Sequence, residues 1–284
     1  MTQGDPTSPV PPLGAAELKL TTAVDAVIAA GALGVLLAWF LGRPIGYSDA
    51  APVMSPFTAL SLFIMVGVRQ ARLHYESWPV TQSLALTGLV LGGNVASIAL
   101  LFVMPPRLQA SFPGIVLTSA MTALGLVLFC LHDLVVELRD TPDSAFIVDD
   151  VLVHLALVPG GVSLLGYLLA NPTYLSVHAD PRIGISVLEM GFMALYAAAA
   201  LVSNPRLFLW RFLAGGWGNR LVFAGLFANQ FVAPVVVGLL LGTRGTRGAG
   251  IELYVMVAGV VTTISFLLLQ AHLHARERKA AAGA

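Results

Sequence analysis

Charged side chains are scarce in this sequence, and the few that are present balance one another. Asp, Glu, Lys and Arg make up 11% of the 284 residues, and their formal charges sum to zero at pH 7. Soluble globular domains carry about 25% charged residues, so the composition excludes a soluble protein. The lack of net positive charge also argues against nucleic acid as a partner.

The sequence also lacks residues that several kinds of membrane protein need. Its single cysteine, Cys130, excludes an intramolecular disulfide framework. Its two lysines, Lys19 and Lys279, lie near the ends, so neither can form the buried Schiff base that holds retinal. Paired aspartates, a Ser–His pair and a His-Glu-x-x-His motif are all missing from the middle of the apolar runs, so intramembrane proteolysis is not expected. We predict neither an enzyme nor a cofactor.

Long apolar runs dominate what remains. Hydrophobic residues make up 57% of the sequence, and the mean hydropathy is +0.85. About 20 apolar residues are needed for one helical crossing of a bilayer, and backbone groups in lipid must bond within the segment, which requires helices. The sequence therefore predicts an all-α polytopic membrane protein with eight transmembrane helices. The predicted helices cover 21–42, 55–73, 80–104, 113–136, 149–170, 183–203, 219–242 and 251–274.

Lys and Arg are distributed unequally between the two sides of these helices. Ten of them lie on the side of the termini and five on the other side, which places both termini in the cytoplasm by the positive-inside rule. The Pro-rich segment 1–18 is predicted to be a disordered tail. Residues 19–274 form the membrane domain, and 275–284 are predicted to continue the last helix as a cytoplasmic extension.

A short motif recurs along the chain. Ser55-Pro-Phe-Thr-Ala-Leu opens the second helix, and Ser119-Ala-Met-Thr-Ala-Leu follows 64 residues later. Ser186-Val-Leu-Glu opens the sixth helix after a further 67 residues. The spacing predicts a helical hairpin present three times and followed by a divergent pair. The hairpins cover 21–73, 80–136 and 149–203, and the pair covers 219–274.

The polar residues of these motifs share one helix face because they are three positions apart. One interpretation makes them packing devices between hairpins, since hydroxyls in lipid bond to neighbouring helices at about 1 kcal/mol each. The other makes them contacts for a ligand that enters from the extracytoplasmic side. The candidate ligand-binding residues are Ser55, Thr58, Ser119, Thr122, Ser186 and Glu189.

Glu189 is the most informative of these residues. A carboxylate within the membrane costs about 2.5 kcal/mol or more and suggests a function. If the hairpins pack around a common centre, Glu189 faces Thr58 and Thr122 and can bind a cation or a polar ligand. Alternatively, its shallow depth allows it to meet interfacial water or Arg182.

Other polar residues lie near the cytoplasmic helix ends. His132, Asp133 and His154 are weak candidates for a metal site or a pH response, but their spacing matches no metal motif. The favoured interpretation is that they are solvated helix ends. Asp25, near the start of the first helix, is expected to stabilise the positive end of the helix dipole.

The seventh helix contains a polar pair beside a proline. Asn229 and Gln230 lie just before Pro234, which removes a backbone hydrogen bond and kinks a helix. The amides can satisfy the freed carbonyls or bond across to Thr262 and Thr263. We therefore predict that Asn229, Gln230 and Pro234 form a movable, signal-relaying element.

Five short motifs carry a family resemblance. Trp39-Phe-Leu-Gly-Arg-Pro, followed by Met54-Ser-Pro-Phe-Thr-Ala-Leu, resembles the N-terminal multi-helix membrane region of bacterial sensor histidine kinases and diguanylate cyclases. Gly215-Gly-Trp-Gly-Asn-Arg-Leu, Ala233-Pro-Val-Val-Val-Gly and the closing His274-Ala-Arg-Glu-Arg-Lys extend the resemblance over roughly residues 20–279. The resemblance implies a sensory role in two-component or cyclase signalling and a location in the bacterial inner membrane.

The sequence departs from that family in two ways. It contains no phospho-acceptor His box, no ATP-binding Gly boxes and no cyclase signature, and Glu189 stands where the family has Thr. We therefore expect a stand-alone sensory or ligand-binding module in the lipid bilayer. It would relay an extracytoplasmic or membrane cue to a separate cytoplasmic signalling protein, or act as a homo-oligomer. The alternatives are a small proton- or cation-coupled transporter or channel, and a structural subunit of a membrane complex.

Overall fold

A computed structural model shows the fold of most of the chain. The residues that it describes are 14–45, 52–75, 77–103, 118–138, 148–171, 174–175, 184–205, 207–214, 216–243 and 250–282. Within these ranges the regular secondary structure is entirely helical. The predicted all-α class is therefore confirmed. Most of the predicted tail, together with residues 113–117 and Arg182, lies outside the described residues.

The described ranges contain ten α-helices and one π-helical turn. The helices are α1 (Ala15–Phe40), α2 (Pro56–His74), α3 (Val80–Val103), α4 (Ala120–Glu137), α5 (Val148–Leu168), α6 (Val187–Ser203), α7 (Phe208–Ala214), α8 (Trp217–Phe227), α9 (Ala233–Thr243) and α10 (Ile251–Ala282). The π-helical turn, Ala228–Val232, joins α8 to α9 without a break. Helix α1 begins within the predicted tail, before the expected start of the first helix.

Six of these segments are long and apolar enough to cross a bilayer, where the sequence predicted eight crossings. They are α1, α3, α4, α5, the continuous α8–α9 segment and α10. Helices α6 and α7 pass the same test together, with a bend of 72° between them, which gives up to seven spans. Helix α2 does not pass, because Arg69, Gln70, Arg72 and His74 lower the hydropathy of its last turns.

The recurring serines act as helix N-caps. The side-chain oxygens of Ser55, Ser119 and Ser186 each accept a hydrogen bond from the backbone N–H three residues on, at 2.9–3.1 Å. Such a cap satisfies one of the free N–H groups at a helix start. The predicted start of the fourth helix at 113 is wrong for this reason, since Thr118 and Ser119 are not helical and α4 begins at Ala120.

Helices α1 to α6 form a closed ring. Each packs against the next along the chain, and α6 packs back against α1. Helix α1 runs antiparallel to α2, because Trp39 at the end of α1 donates to the carbonyl of Met54 before α2, at 2.9 Å. Helices α2, α4 and α6 also contact one another across the ring. Their inner faces bury Leu62, Met65, Leu126, Phe129, Phe192 and Met193.

The remaining helices form a second unit against the outside of α5. Helix α10 packs along α8, the π-helical turn and α9, and both sides of this pair contact α5. The closest approach is at Gly259, where an added Cβ would lie 2.7 Å from the Cα of Gln230. Near the start of α10, the Tyr174 hydroxyl donates to Glu252 at 2.7 Å, and both side chains are buried. This bond attaches the beginning of α10 to the loop after α5.

Candidate functional site

Three helix starts meet at one carboxylate. Oε2 of Glu189 accepts from the backbone N–H of Ser186 at 2.8 Å, which completes a capping box at the start of α6. The same oxygen accepts from Oγ1 of Thr122 on α4 at 3.4 Å. Oε1 accepts from the backbone N–H of Ser55 before α2 at 3.3 Å. Glu189 is only 1% exposed, so this carboxylate joins α2, α4 and α6 inside the bundle.

A set of hydroxyl groups surrounds this carboxylate. Oγ1 of Thr118 lies 3.0 Å from Oγ of Ser55 and 3.3 Å from Oγ1 of Thr58. Ser119 and Thr122 are linked at 2.7 Å. We call these six hydroxyl residues and Glu189 the N-cap cluster; its members are Ser55, Thr58, Thr118, Ser119, Thr122, Ser186 and Glu189.

The structure thus brings together all six candidate ligand-binding residues. They are closely packed, and their buried polar atoms all have hydrogen-bond partners within the protein. The arrangement suits the stabilisation of a negative charge, because helix N-termini carry partial positive charge. Thr118 was missed, since a single Thr before the motif forms no pattern that the sequence reveals. Ligand binding by these residues stays a prediction.

A second polar cluster lies at the opposite end of the inner helices. Nε of Arg69 on α2 donates to Oδ2 of Asp25 on α1 at 2.9 Å, and a second guanidinium nitrogen pairs with Oδ1. The Gln70 amide donates to the same carboxylate at 2.5 Å. Asp25 is fully buried. The predicted dipole role of Asp25 is therefore replaced by a buried ion pair between two helices.

The same network continues to α6 and α4. The guanidinium of Arg69 lies 4.0 Å above the ring of Tyr196, a cation–π contact. The Tyr196 hydroxyl donates to Oδ2 of Asp133 at 2.5 Å, and Nδ1 of His132 lies 3.0 Å from Oδ1. The ion-pair network is defined by Asp25, Arg69, Gln70, Tyr196, Asp133 and His132.

The prediction that His132 and Asp133 are solvated helix ends is wrong. His132 is 3% exposed, and Asp133 is held between His132 and Tyr196 because α6 covers this end of α4. Among the described residues, no three His, Cys, Asp or Glu side chains come together to hold a metal ion. The third weak candidate, His154, lines a cavity.

That cavity, of about 140 Å³, lies between α5, α7, α8 and α10. Most of its lining is apolar and includes five phenylalanines: Phe212, Phe223, Phe227, Phe231 and Phe266. Its polar lining residues are Asp150, His154, Gln230 and Thr263. Two of these already have partners. Asp150 accepts from the backbone N–H groups of Phe208 and Leu209 at 3.0 Å each, and Thr263 donates to the carbonyl of Gly259 at 2.9 Å.

The other two polar groups are buried without a completed hydrogen bond. Gln230 is fully buried, and neither its amide nitrogen nor its amide oxygen has a partner. Nε2 of His154 is likewise buried without a completed hydrogen bond, and the His154 and Gln230 side chains lie close enough to interact. A buried polar group without a partner costs about 1–3 kcal/mol, and such groups in a native fold call for an explanation.

The orientation and partners of Asn229 and Gln230, the predicted relay residues, differ from those expected from the sequence. Asn229 is exposed, whereas Gln230 faces the interior. Of the two alternatives, Gln230 does not bond across to Thr262 or Thr263, and both hydroxyls donate to carbonyls of their own helix at 2.8 and 2.9 Å. In place of a simple kink, the chain forms the π-helical turn just before Pro234. Proline has no N–H group for the Gln230 carbonyl, and π-helical turns occur frequently at functional sites.

The apolar helices and their buried polar clusters define a multi-pass α-helical membrane protein. No protein-family model matches the chain, and neither does any curated protein or solved structure. The resemblance to the input regions of sensor kinases and cyclases therefore stays a prediction.

Removing the carboxylate of the N-cap cluster should destabilise the bundle. Glu189→Ala leaves two buried backbone N–H groups, those of Ser55 and Ser186, without an acceptor, and each costs about 1–3 kcal/mol. The Thr122 hydroxyl can still bond to Ser119. We expect the free energy of unfolding in mixed micelles, followed by circular dichroism, to fall by about 3 kcal/mol. The matched control is Glu17→Ala, since Glu17 accepts from Gly14 N–H in a similar way but is exposed. Equal effects of the two substitutions would contradict a role in joining helices.

The ion-pair network makes a separate prediction. Arg69→Met leaves Asp25 buried without its cation, which should lower the free energy of unfolding by about 3–5 kcal/mol. The double variant Asp25→Leu/Arg69→Met should recover most of that loss, since no buried charge is then unpaired. Arg72→Met is the control, because its pair with Glu137 is partly exposed and such pairs contribute about 1 kcal/mol or less. A double variant as unstable as Arg69→Met would disprove the coupling.

Proposed function

We propose that this protein is a sensory module of the bacterial inner membrane that relays an extracytoplasmic or membrane cue to a separate cytoplasmic signalling partner. The observation that carries the proposal is the π-helical turn at the boundary between the six-helix ring and α10. Buried, unpartnered Gln230 lies in this turn. A π-helical turn that holds an unsatisfied group is a place where binding can shift a conformational equilibrium.

The π-helical turn offers a defined movement. One residue in an α-helix corresponds to about 100° of rotation and 1.5 Å of rise. Conversion of this turn to α-helix would therefore rotate α9 relative to α8 and move the surface that contacts α10. Because Gly259 on α10 lies directly against the backbone of Gln230, α10 would have to respond.

Helix α10 is suited to carry this movement out of the membrane. Its candidate span ends at Leu273, whereas the helix continues to Ala282. These nine additional residues extend about 13 Å beyond the bilayer. Arg276 in this region is exposed, which leaves the extension accessible to a partner.

The proposal includes eight crossings with both termini in the cytoplasm. Helix α2 has 19 residues, so it is about 28 Å long and close to the thickness of the hydrocarbon core. The hydropathy of α2 underestimates its ability to cross the membrane, because Arg69 is paired with Asp25 and Arg72 with Glu137. Paired charges are tolerated inside a membrane protein. The N-cap cluster would then lie at the extracytoplasmic end and the ion-pair network at the cytoplasmic end.

The crossing of α2 can be tested with a pair of single cysteines in a Cys130→Ser background. Ile45→Cys and Ser77→Cys lie on either side of α2, and both positions are exposed. We expect an impermeant maleimide to label Ile45→Cys in intact cells, and Ser77→Cys only after the cells are opened. Labelling of both from the same side would mean that α2 does not cross.

The relay can be tested with a photo-crosslinking amino acid in place of Arg276. In the native cells we expect a discrete adduct with one cytoplasmic protein, and Gln230→Leu should change its yield at least several-fold. The same amino acid in place of Leu268, which is 50% exposed on the lipid-facing side of α10, is the control and should give no such adduct. A folded protein that captures nothing at position 276 would overturn the sensory proposal.

A proton- or cation-coupled transporter is the second candidate. One observation favours it: helix α6 carries Glu189 in the N-cap cluster and Tyr196 in the ion-pair network. Between these clusters most of the buried side chains of the inner helices are apolar, such as Leu126 and Phe192, which weighs against transport. Proton or cation flux into proteoliposomes that Glu189→Gln abolishes would favour transport over sensing.

A further inference from the structure

We propose that the cavity lined by His154 and Gln230 binds a lipid-soluble ring compound that bears a carbonyl or hydroxyl oxygen, of the quinone or quinol class. The idea that this ligand is the cue rests on the proposed sensory function. Binding of the ligand to the cavity can be measured independently of that function.

The size of the cavity fits one ring. A dry apolar cavity of about 150 Å³ is enough to bind benzene in another protein, and this one measures about 140 Å³. Five phenylalanine side chains line it. Aromatic rings pack favourably against one another in edge-to-face and offset arrangements, at about 0.5–1.5 kcal/mol beyond burial alone. A flat ring is therefore the shape that the apolar lining accepts best.

The polar atoms fit oxygens on that ring. The amide of Gln230 supplies both a donor and an acceptor, and the imidazole of His154 supplies one or the other according to its tautomer. A quinone carbonyl can accept from the amide nitrogen, and a quinol hydroxyl can donate to the amide oxygen. The two side chains lie close enough to interact with each other, yet neither amide atom of Gln230 nor Nε2 of His154 completes a hydrogen bond within the protein. A purely hydrocarbon ligand would leave them unsatisfied.

The position of the cavity allows entry from the bilayer. Phe227, on its lining, is 51% exposed on the outer surface of α8. A ligand dissolved in lipid can reach the cavity beside this side chain and leave an apolar tail in the membrane. On the opposite side, α5 closes the cavity with Val153 and His154. The ligand oxygen would thus point inward towards the polar groups.

Calorimetric titration of the full chain in lipid nanodiscs tests this assignment with two matched probes. Duroquinone is a benzoquinone with four methyl groups, and durene is the same methylated ring without the oxygens. We expect duroquinone to bind at least tenfold more tightly than durene, because only duroquinone satisfies Gln230. Equal affinities, or no binding of either compound, would overturn the proposal and leave a hydrated cavity only.

Two variants locate the binding. Gln230→Leu should weaken duroquinone binding about tenfold and leave durene binding unchanged or stronger. Gln270→Leu, the same change on α10 outside the cavity lining, should have no effect. Leu226→Trp fills the cavity from the outer side of α8 and should abolish binding of both compounds, with circular dichroism reporting the fold. An unchanged affinity for duroquinone in Gln230→Leu would overturn the proposal even if the other variants behave as expected.

The cross-linking experiment separates the two proposals. Duroquinone that binds as described but leaves the yield of the position-276 adduct unchanged would remove the link to signalling and keep the binding site. An adduct that responds to Gln230→Leu in a protein that fails to bind duroquinone would overturn the ligand assignment and keep the sensory function.

Discussion

The position of Glu189 between three helix N-termini is the constraint on which the arrangement of the inner helices depends. Each N-terminus carries a partial positive charge of about half an elementary charge, so three of them cannot meet in a low-dielectric interior without an anion. The Glu189 carboxylate supplies that anion and accepts from donors at the starts of α2, α4 and α6. A single carboxylate is enough, which explains why Thr58 and Thr122 occupy the corresponding positions in the other two motifs.

At the opposite end of the bundle, helix C-termini meet and require positive charge. Helix C-termini carry partial negative charge and favour cations, and α2 ends with Arg69, Arg72 and His74 in its last turns. Arg69 is buried, so its own charge needs an anion, and α1 provides Asp25. The inner helices are thus fixed at both ends by charge-assisted hydrogen bonds whose geometry is specific, while the middle is filled by apolar side chains. A bundle held in this way resists changes in the register of its helices.

How much of this could be read from the sequence depends on whether the information is local. The Ser-x-x-Thr and Ser-x-x-Glu motifs are local, since a serine N-cap and the backbone N–H that donates to it, three residues on, lie within one helix start. Their recurrence was therefore enough to group Glu189 with Thr58 and Thr122. Thr118 could not be found, because its role depends on Ser55, which lies 63 residues away in the chain.

The predictions for three buried charged or titratable residues are wrong for the same reason. A charged residue near a helix end looks identical in sequence whether water or another helix covers it. The sequence therefore predicts His132 and Asp133 at solvated helix ends and Asp25 at the helix dipole. Their partners come from other helices, and only the packing of the ring reveals them. The cavity was equally hidden, because the Asn229-Gln230 pair does not show which amide faces inward. The π-helical turn before Pro234 decides this by turning Gln230 towards α5 and α10.

The second helical unit is attached to the ring in a way that permits movement of one end. Near its start, α10 is fixed by the buried bond between Tyr174 and Glu252. Burial and the Glu252 carboxylate both raise the pKa of the Tyr174 hydroxyl, so this group keeps its proton and the bond persists at physiological pH. Further along, the contacts are apolar or close backbone approaches, as at Gly259, and such contacts carry no fixed hydrogen-bond geometry. A change in the π-helical turn would therefore pivot α10 about Glu252, and the displacement would be largest at the far end of the helix, which carries the proposed partner surface.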